Sequence, residues 1–401
     1  RGVMRLHMTS GTWTSFDRRT GLLHDHVNER ALKVDDRYVW VGTPFGICRY
    51  DKKLESWTYF VAEKSLLGRE VRALAVDDRY VWVGTTSGLS RYDKIYGAWE
   101  NYRQRGGRQE MRIGGRRISW WEPPSEEGLI NNWVNCLAVD DRYVWIGTRE
   151  GVSRYDKVAD RWDGYKRENG LPDEDITSIA ISGGDVWVGT NRGIGRFPRN
   201  SDNPNAWVSY TSGIEIKPGA ISKEFAETLV SDEVWCIAVD DKYVWVGTRM
   251  GVSRYDKRRD MWKTFTKEDG LPDDKITAIA ADERWVWFGS DKGAAVYDKR
   301  TKDWRTYTTK DGLISDKVTC IAIDGDLIWF GTYDAGVSVF DTKNNSWKGF
   351  TKEDGLAHNT VYSIAIDGRY VWIGTQRGLS RYDKKTGSWT TFTETHWPED
   401  I

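Results

Sequence analysis

Short apolar runs separated by polar, glycine-bearing turns recur along the chain, and the most regular of them is a Val-Trp-Val-Gly-Thr-like core. The cores centre on Trp40, Trp82, Trp145, Trp187, Trp245, Trp287, Trp329 and Trp372, at intervals of 42, 63, 42, 58, 42, 42 and 43 residues. A base period of 42 residues is that of a four-stranded propeller blade and not of a helical repeat. Within one unit, residues 134–139, 143–147, 152–155 and 162–165 are predicted as four antiparallel strands. Asp140-Asp141-Arg142 and Asp156-Lys157 supply turn chemistry between them, and Gly151 and Gly170 supply permissive backbone. The first strand is nearly all apolar, as in Cys236-Ile237-Ala238-Val239, which suits a strand covered on both faces by neighbouring blades.

The second strand puts Tyr143, Trp145 and Gly147 on one face, so each blade offers a large aromatic to its neighbour, with the glycine expected to leave room for it. A second tryptophan series, Trp13, Trp57, Trp99, Trp162, Trp207, Trp262, Trp304, Trp347 and Trp389, opens the fourth strands and is expected to pack at blade rims. Both series are read as packing residues.

The fold class is therefore all-β: a single β-propeller over residues 1–401, of about eight four-stranded antiparallel blades. A half-blade hairpin occupies 1–26. Blades follow at 27–66, 67–103, 132–175, 176–211, 233–275, 276–317, 318–360 and 361–401, with insertions at 104–131 and 212–232. Residues 1–13 align with 377–389, the second half of a blade. Eight units plus that half fit an eight-bladed ring with an extra hairpin, a nine-bladed ring missing two strands, or a fragment of a longer array. Eight is favoured, since closure removes strand edges.

The composition of 23 Trp and 40 Gly against 9 Pro reflects the copied motif. Charged residues make up 30% of the chain, yet the net charge is −1, which argues against nucleic acid as a partner. No apolar run approaches the length needed for direct membrane insertion, and Arg1-Gly2-Val3-Met4 lacks the shape of a signal peptide. Because residue 1 falls inside a repeat, the natural protein is expected to extend further toward the N-terminus.

The stretch Ile-Ala-Ile-Asp-Gly-Arg-Tyr-Val-Trp-Ile-Gly-Thr-Gln-Arg-Gly-Leu-Ser-Arg-Tyr-Asp, residues 364–383, resembles the two-component regulator propeller repeat. The likeness covers nearly the whole chain. It implies a sensor-like module that binds a ligand or a protein in a periplasmic or extracellular setting. A histidine kinase or response-regulator pattern is absent from these residues.

In a meander of this kind the second-to-third and fourth-to-first loops open on one face. The second-to-third turns of five blades carry a cation, Arg149, Arg192, Arg249, Lys292 and Arg377, and that of another carries Tyr333. These cations are expected to converge on the channel mouth and hold a carboxylate, a sulfate or an acidic loop. The alternative is a solvated rim paired with acids such as Glu150 and Asp175. Both insertions lie on the same face. The first reads as a small hairpin over 112–121 ending in Trp120 and Trp121. The second contains 222–229, with the serine cap and early glutamate of a short helix. With Trp133 and Trp235, these tryptophans are candidates to stack on a sugar or grip a peptide.

Cys136, Cys236 and Cys320 share one repeat position with Ala73, Ser178, Ala278 and Ser363, so they are small packing residues, and Cys48 lies on another strand. His24 and His26 have metal-like spacing and His358 repeats His24, but no third ligand is evident, so no metal or cofactor is assigned. The paired Asp35-Asp36 and Asp77-Asp78 recur around the chain as turn residues, expected to pair with arginines such as Arg49 and Arg91. No catalytic residues are assigned, because no phosphate loop or nucleophile elbow is present. The leading reading is a non-enzymatic binding module whose insertion-bearing face holds a protein partner, an anionic small molecule or a glycan. A lyase-like polysaccharide enzyme with a basic channel mouth and a structural subunit of a larger extracellular assembly are the alternatives.

Overall fold

Each repeat folds into one antiparallel four-stranded sheet whose strands pair in sequence order, as Val134–Val139, Tyr143–Thr148, Gly151–Asp156 and Arg161–Tyr165 do. Eight such sheets form the ring in this computed structural model, which describes residues 22–28, 30–62, 65–104, 128–212 and 228–393. It also describes the backbones of four further strands. The sheets are numbered here in chain order. Blade 1 runs from Leu32–Val34 to Ser56–Phe60 and blade 8 from Val361–Asp367 to Trp389–Phe392. Two small hairpins stand apart as two-stranded sheets. Val3–His7 pairs with Thr12–Phe16, and Gly107–Ile113 pairs with Arg116–Glu122. The expected helix at 222–229 lies outside the described residues but for Thr228 and Leu229.

Local chemistry fixes each turn. The hydroxyl of Thr148 donates to the Gly151 carbonyl and accepts the Glu150 N–H, closing the second-to-third turn. Gly151 sits at φ +128°, and a Cβ there would fall 2.3 Å from the Tyr165 carbonyl oxygen. At the first-to-second turn, one Asp35 oxygen accepts the backbone N–H groups of Arg37 and Tyr38. The arginine that pairs across these turns is Arg37 with Asp51, or Arg79 with Asp93. The expected partners Arg49 and Arg91 are committed elsewhere. Each lies over the tyrosine of its own second strand, and each donates to the phenol of the next blade.

The blades are joined by rings. At each junction the buried second-strand tryptophan of one blade meets its fourth-strand aromatic and the third-strand aromatic of the next, and the next blade's fourth-strand tryptophan packs on those two rings. Trp40, Phe60, Tyr92 and Trp99 form one such cluster, with centroids 5.0–6.3 Å apart. The same four-ring cluster closes the circle through Trp372, Phe392, Tyr50 and Trp57. The ring therefore closes between blades 8 and 1, with the backbone bond from Val27 N to Thr375 O at 3.2 Å. Of the three arrangements left open by the sequence, the eight-bladed ring is the one formed. Burying each indole hides about 150–250 Å², worth on the order of 4–6 kcal/mol as an upper bound.

The glycine of the core motif has a different neighbour from the one expected. A Cβ on Gly147 would lie 2.4 Å from Cys136 Sγ and 2.6 Å from Ile176 Cγ2, so it makes room for the next blade's inner strand and not for an indole. Cys136 faces Gly147 in register, as Cys236 faces Gly247 and Cys320 faces Gly331. All four cysteines are free thiols. Burial pushes Cys48, Cys136 and Cys236 up to about 12. Cys48 accepts the Leu23 N–H at 3.1 Å, the task that Ser153 and Ser253 perform for Ile130 and Val230.

Polar ties cross most junctions below the rings. A lysine or arginine after the third strand reaches the preceding blade's first-turn aspartate, as in Lys157–Asp77 at 2.8 Å, Lys299–Asp240 at 2.8 Å and Lys52–Asp367 at 2.7 Å. The junction between blades 6 and 7 lacks both this tie and the arginine-to-phenol bond. Val296, Phe340 and Thr342 stand where other blades carry arginine, tyrosine and lysine.

Because the closing cluster matches the others, Trp372→Ala should destabilise the protein as much as Trp145→Ala, by about 3–5 kcal/mol in denaturant unfolding. A much smaller loss for Trp372→Ala would mean an open ring. The interblade aspartates set the acid limit. Burial alone would raise Asp77 and Asp240, but the ammonium and N–H groups bonded to them outweigh it and hold both below the usual carboxylate range. Their stabilisation is complete above that range and is lost as pH falls through the lowered values. The unfolding midpoint should therefore stay level from pH 7 to about 5 and fall progressively below it, less steeply in Asp240→Asn.

Candidate functional site

The inner strands line the central channel, and each of blades 2 to 8 has a register irregularity near its top. In blade 3 Val134 pairs with Thr148 and Cys136 with Gly147, so Asn135 is the extra residue of a β-bulge, re-aimed away from the ladder. The equivalent residues are Arg72, Thr177, Trp235, Thr277, Thr319 and Tyr362. Four blades use the side chain here, or at Asn135, to bind the next blade. Asn135 Nδ2 donates to Ile176 O at 3.1 Å, and the hydroxyls of Thr177, Thr277 and Thr319 donate to the carbonyls of Val234, Val318 and Val361 at 2.6–2.7 Å. Asn28 of blade 1 donates to Val71 O in the same way. The remaining three blades place Arg72, Trp235 and Tyr362 at this level, and these line the mouth.

Blade 1 widens the irregularity, and both Asn28 and Arg30 stand at this level. Ala31 N donates to Asn28 O, and Arg30 O accepts Leu74 N–H, which holds the loop against blade 2. Arg30 then spans the channel. Its guanidinium donates to the Thr177 carbonyl in blade 4 and, at 3.5 Å, to the Trp235 carbonyl in blade 5.

Arg30 and Thr177 border two cavities. The first, about 560 Å³, is also lined by His26, Asn28, Glu70, Arg72, Asn135, Arg149 and Asp175. The second, about 720 Å³, is lined by Trp235, Tyr333 and Tyr362 with Lys275, Lys317, Asn191 and Asp291, above Val234, Val318, Thr277 and Thr319. Cations outnumber acids in both. Arg72 pairs with Glu70 at 3.0 Å, Lys275 with Asp291 at 2.6 Å and Lys317 with Asp334 at 2.9 Å. Bonds from Ser315 and Lys317 hold the Asp334 carboxyl below its usual range. Guanidinium and ammonium groups also lie over rings. Arg149 is 3.6 Å and Arg72 5.3 Å from the Trp133 centroid, and Lys275 is 5.1 Å from that of Trp235. His26 and Tyr362 stand 5.0 Å apart at the boundary of the two cavities. A mouth of this kind fits a carboxylate on the cations and a flat apolar face on the rings.

Of the residues singled out from the sequence, Arg149, Trp235 and Tyr333 line these cavities, and Trp133 is the platform under Arg149. Arg192, Arg249 and Lys292 are not lining residues. Each faces an acid of its own blade's entry loop: Asp173 at 3.9 Å, Glu233 at 3.9 Å and Asp273 at 3.1 Å. Their turns stand one strand spacing, about 4.8 Å, farther from the axis than the bulges do. Arg377 is exposed beside His358, which burial first and the Arg377 charge second hold below the usual imidazole range. His24 and His358 each use Nδ1 to accept a backbone N–H two residues on. Trp120 and Trp121 lie in the insertion hairpin, opposite Gln109 and Arg108, and their side chains lie outside the described residues. Arg30, Arg72, Lys275, Lys317 and Tyr362 were not singled out. The signal for Arg72 and Tyr362 was the variable second residue of an otherwise uniform inner strand, while Lys275 and Lys317 stand just before theirs.

No protein-family model and no curated protein matches the sequence. Among solved structures, the chain is similar to the computationally designed protein Ika8, at 14% identity over 93% of this chain and 98% of that one, with a TM-score of 0.62. It is also similar to the extracellular domain of the B. thetaiotaomicron protein BT4673, named as a hybrid two component system. There the identity is 17%, the TM-score 0.49, and the match covers 99% of this chain and 59% of that one. Virginiamycin B lyase from Staphylococcus aureus matches at 15% identity over 78% of this chain and 94% of that one, with a TM-score of 0.49. At such identity the likeness to Ika8 is one of fold alone.

Proposed function

We propose that this propeller is a non-enzymatic, sensor-like binding module whose site is the channel mouth on the insertion-bearing face. Its ligand class is an acidic small molecule or glycan. The observation that carries this reading is the bulge position. Where Asn135, Thr177, Thr277 and Thr319 hydrogen-bond the next blade's backbone, Arg72, Trp235 and Tyr362 stand with the spanning Arg30 as cavity-lining groups. Guanidinium groups select carboxylate or sulfate, and the rings of Trp235, Tyr333 and Tyr362 accept the flat face of a sugar. The extracytoplasmic setting rests on the repeat resemblance. No helix among the described residues is long and apolar enough to cross a membrane.

Equilibrium binding of a uronate oligosaccharide and its neutral counterpart tests the reading. The acidic form should bind more tightly, and Arg72→Gln and Trp235→Ala should each weaken it about tenfold or more. Equal binding of both sugars, or of wild type and both variants, would rule out the mouth as the site.

One observation favours the lyase alternative: His26 lies against Tyr362 beside the cations. Removing a proton next to a carboxylate calls for a base within reach and a cation on the carboxylate. Incubation with acidic polysaccharides should then release unsaturated ends, detected by ultraviolet absorbance, and His26→Ala should abolish them. A panel that yields no such absorbance eliminates the enzyme.

A further inference from the structure

Below the mouth, the channel-lining side chains among the described residues are apolar apart from one. Lys33 lies in the inner strand of blade 1 opposite Trp40. Alanine faces the equivalent tryptophan in the seven other blades, as in Ala75 opposite Trp82 and Ala138 opposite Trp145. Lys33 lines a cavity of about 330 Å³ with Leu74, Ala75, Leu137, Ala138, Ile179 and Ala180 among its walls. That volume is at the small end of the range for small-molecule sites. The lysine side chain is open to the lumen although protein surrounds it, and burial holds its ammonium below the usual lysine range. Among the described residues it makes no hydrogen bond or ion pair. The nearby Asp35 is already saturated, with one oxygen on Lys94 and Trp40 and the other on two backbone N–H groups.

A single amine without a counter-charge among aliphatic walls is an unmatched binding element. Charge in such surroundings is stable only when paired, and the described residues supply no partner. We propose that the lower channel is a second ligand site, distinct from the mouth, which takes a short aliphatic monocarboxylate. The carboxylate pairs with Lys33, and the alkyl chain lies along Leu74, Leu137 and Ile179. This explains the departure from alanine in one blade: eight lysines would repel one another, whereas one fixes the ligand's head in an otherwise uniform tube.

Titration calorimetry of the whole chain with straight-chain acids from acetate to octanoate, and with hexan-1-ol, tests the site. Affinity should rise about fourfold per methylene until the cavity is full. Hexanol should bind at least about tenfold more weakly than hexanoate, and Lys33→Ala should weaken hexanoate at least about tenfold. That variant installs the residue of the other seven blades, so folding is preserved, and matched unfolding curves check it. Trp235→Ala in the mouth should leave hexanoate binding unchanged. The site is overturned if Lys33→Ala binds hexanoate as wild type does, if hexanol binds as well as the acid, if no acid of the series binds, or if Trp235→Ala abolishes binding. The last result would place the acid in the mouth instead.

Discussion

Everything in this molecule depends on a four-ring contact repeated at each junction. An indole buried to the last few square ångströms is held between its own blade's outer aromatic and a ring of the next, and a second ring of that blade backs the pair. Rings at 5–6 Å in tilted and edge-on arrangements attract beyond the area they hide. Because the contact is side chain to side chain, no strand need be exchanged to close the circle. The junction between blades 8 and 1 is chemically the same as the other seven, and the N-terminal hairpin pairs only with itself.

Adhesion of this kind leaves the two ends of the inner strands free for other work. The lower ends carry aspartates that tie turns and neighbouring blades. The upper ends carry the bulges, where a side chain leaves the ladder at no cost to the ring. Where such a side chain is asparagine or threonine, it becomes one more interblade bond. Where it is arginine, tryptophan or tyrosine, it becomes part of a concave, cationic and aromatic surface. Structure and recognition are thus separated by residue choice at a single repeat position.

The period, the four strands per unit, both tryptophan series and the shared cysteine position were legible because each recurs with fixed spacing. Closure was not legible, since residues 1–13 look like a missing half blade, and the circle is seen to close only in contacts such as Tyr50–Trp372 and Val27–Thr375 between blades 1 and 8. The role of Gly147 was misread because its close neighbours are Cys136, on the adjacent strand, and Ile176, which belongs to the following repeat. The channel mouth was half legible. Turn cations such as Arg149 stand out in an alignment of loops, but Arg72 and Tyr362 sit inside strands, where alternation hides them. Arg30 and Lys33 are single departures in blade 1, and only their shared position on the axis gives them meaning.

The junction between blades 6 and 7 keeps its rings and its upper Thr277 bond to Val318, yet Val296, Phe340 and Thr342 leave it without the guanidinium–phenol and lysine–aspartate ties found elsewhere. A closed ring under strain opens first at its least fastened seam. For this protein the seam with the fewest polar ties among the described residues is not the junction of blades 8 and 1 but the one two blades away from it. There aromatic contact is joined by a single side-chain hydrogen bond at the channel mouth and by no ion pair beneath it.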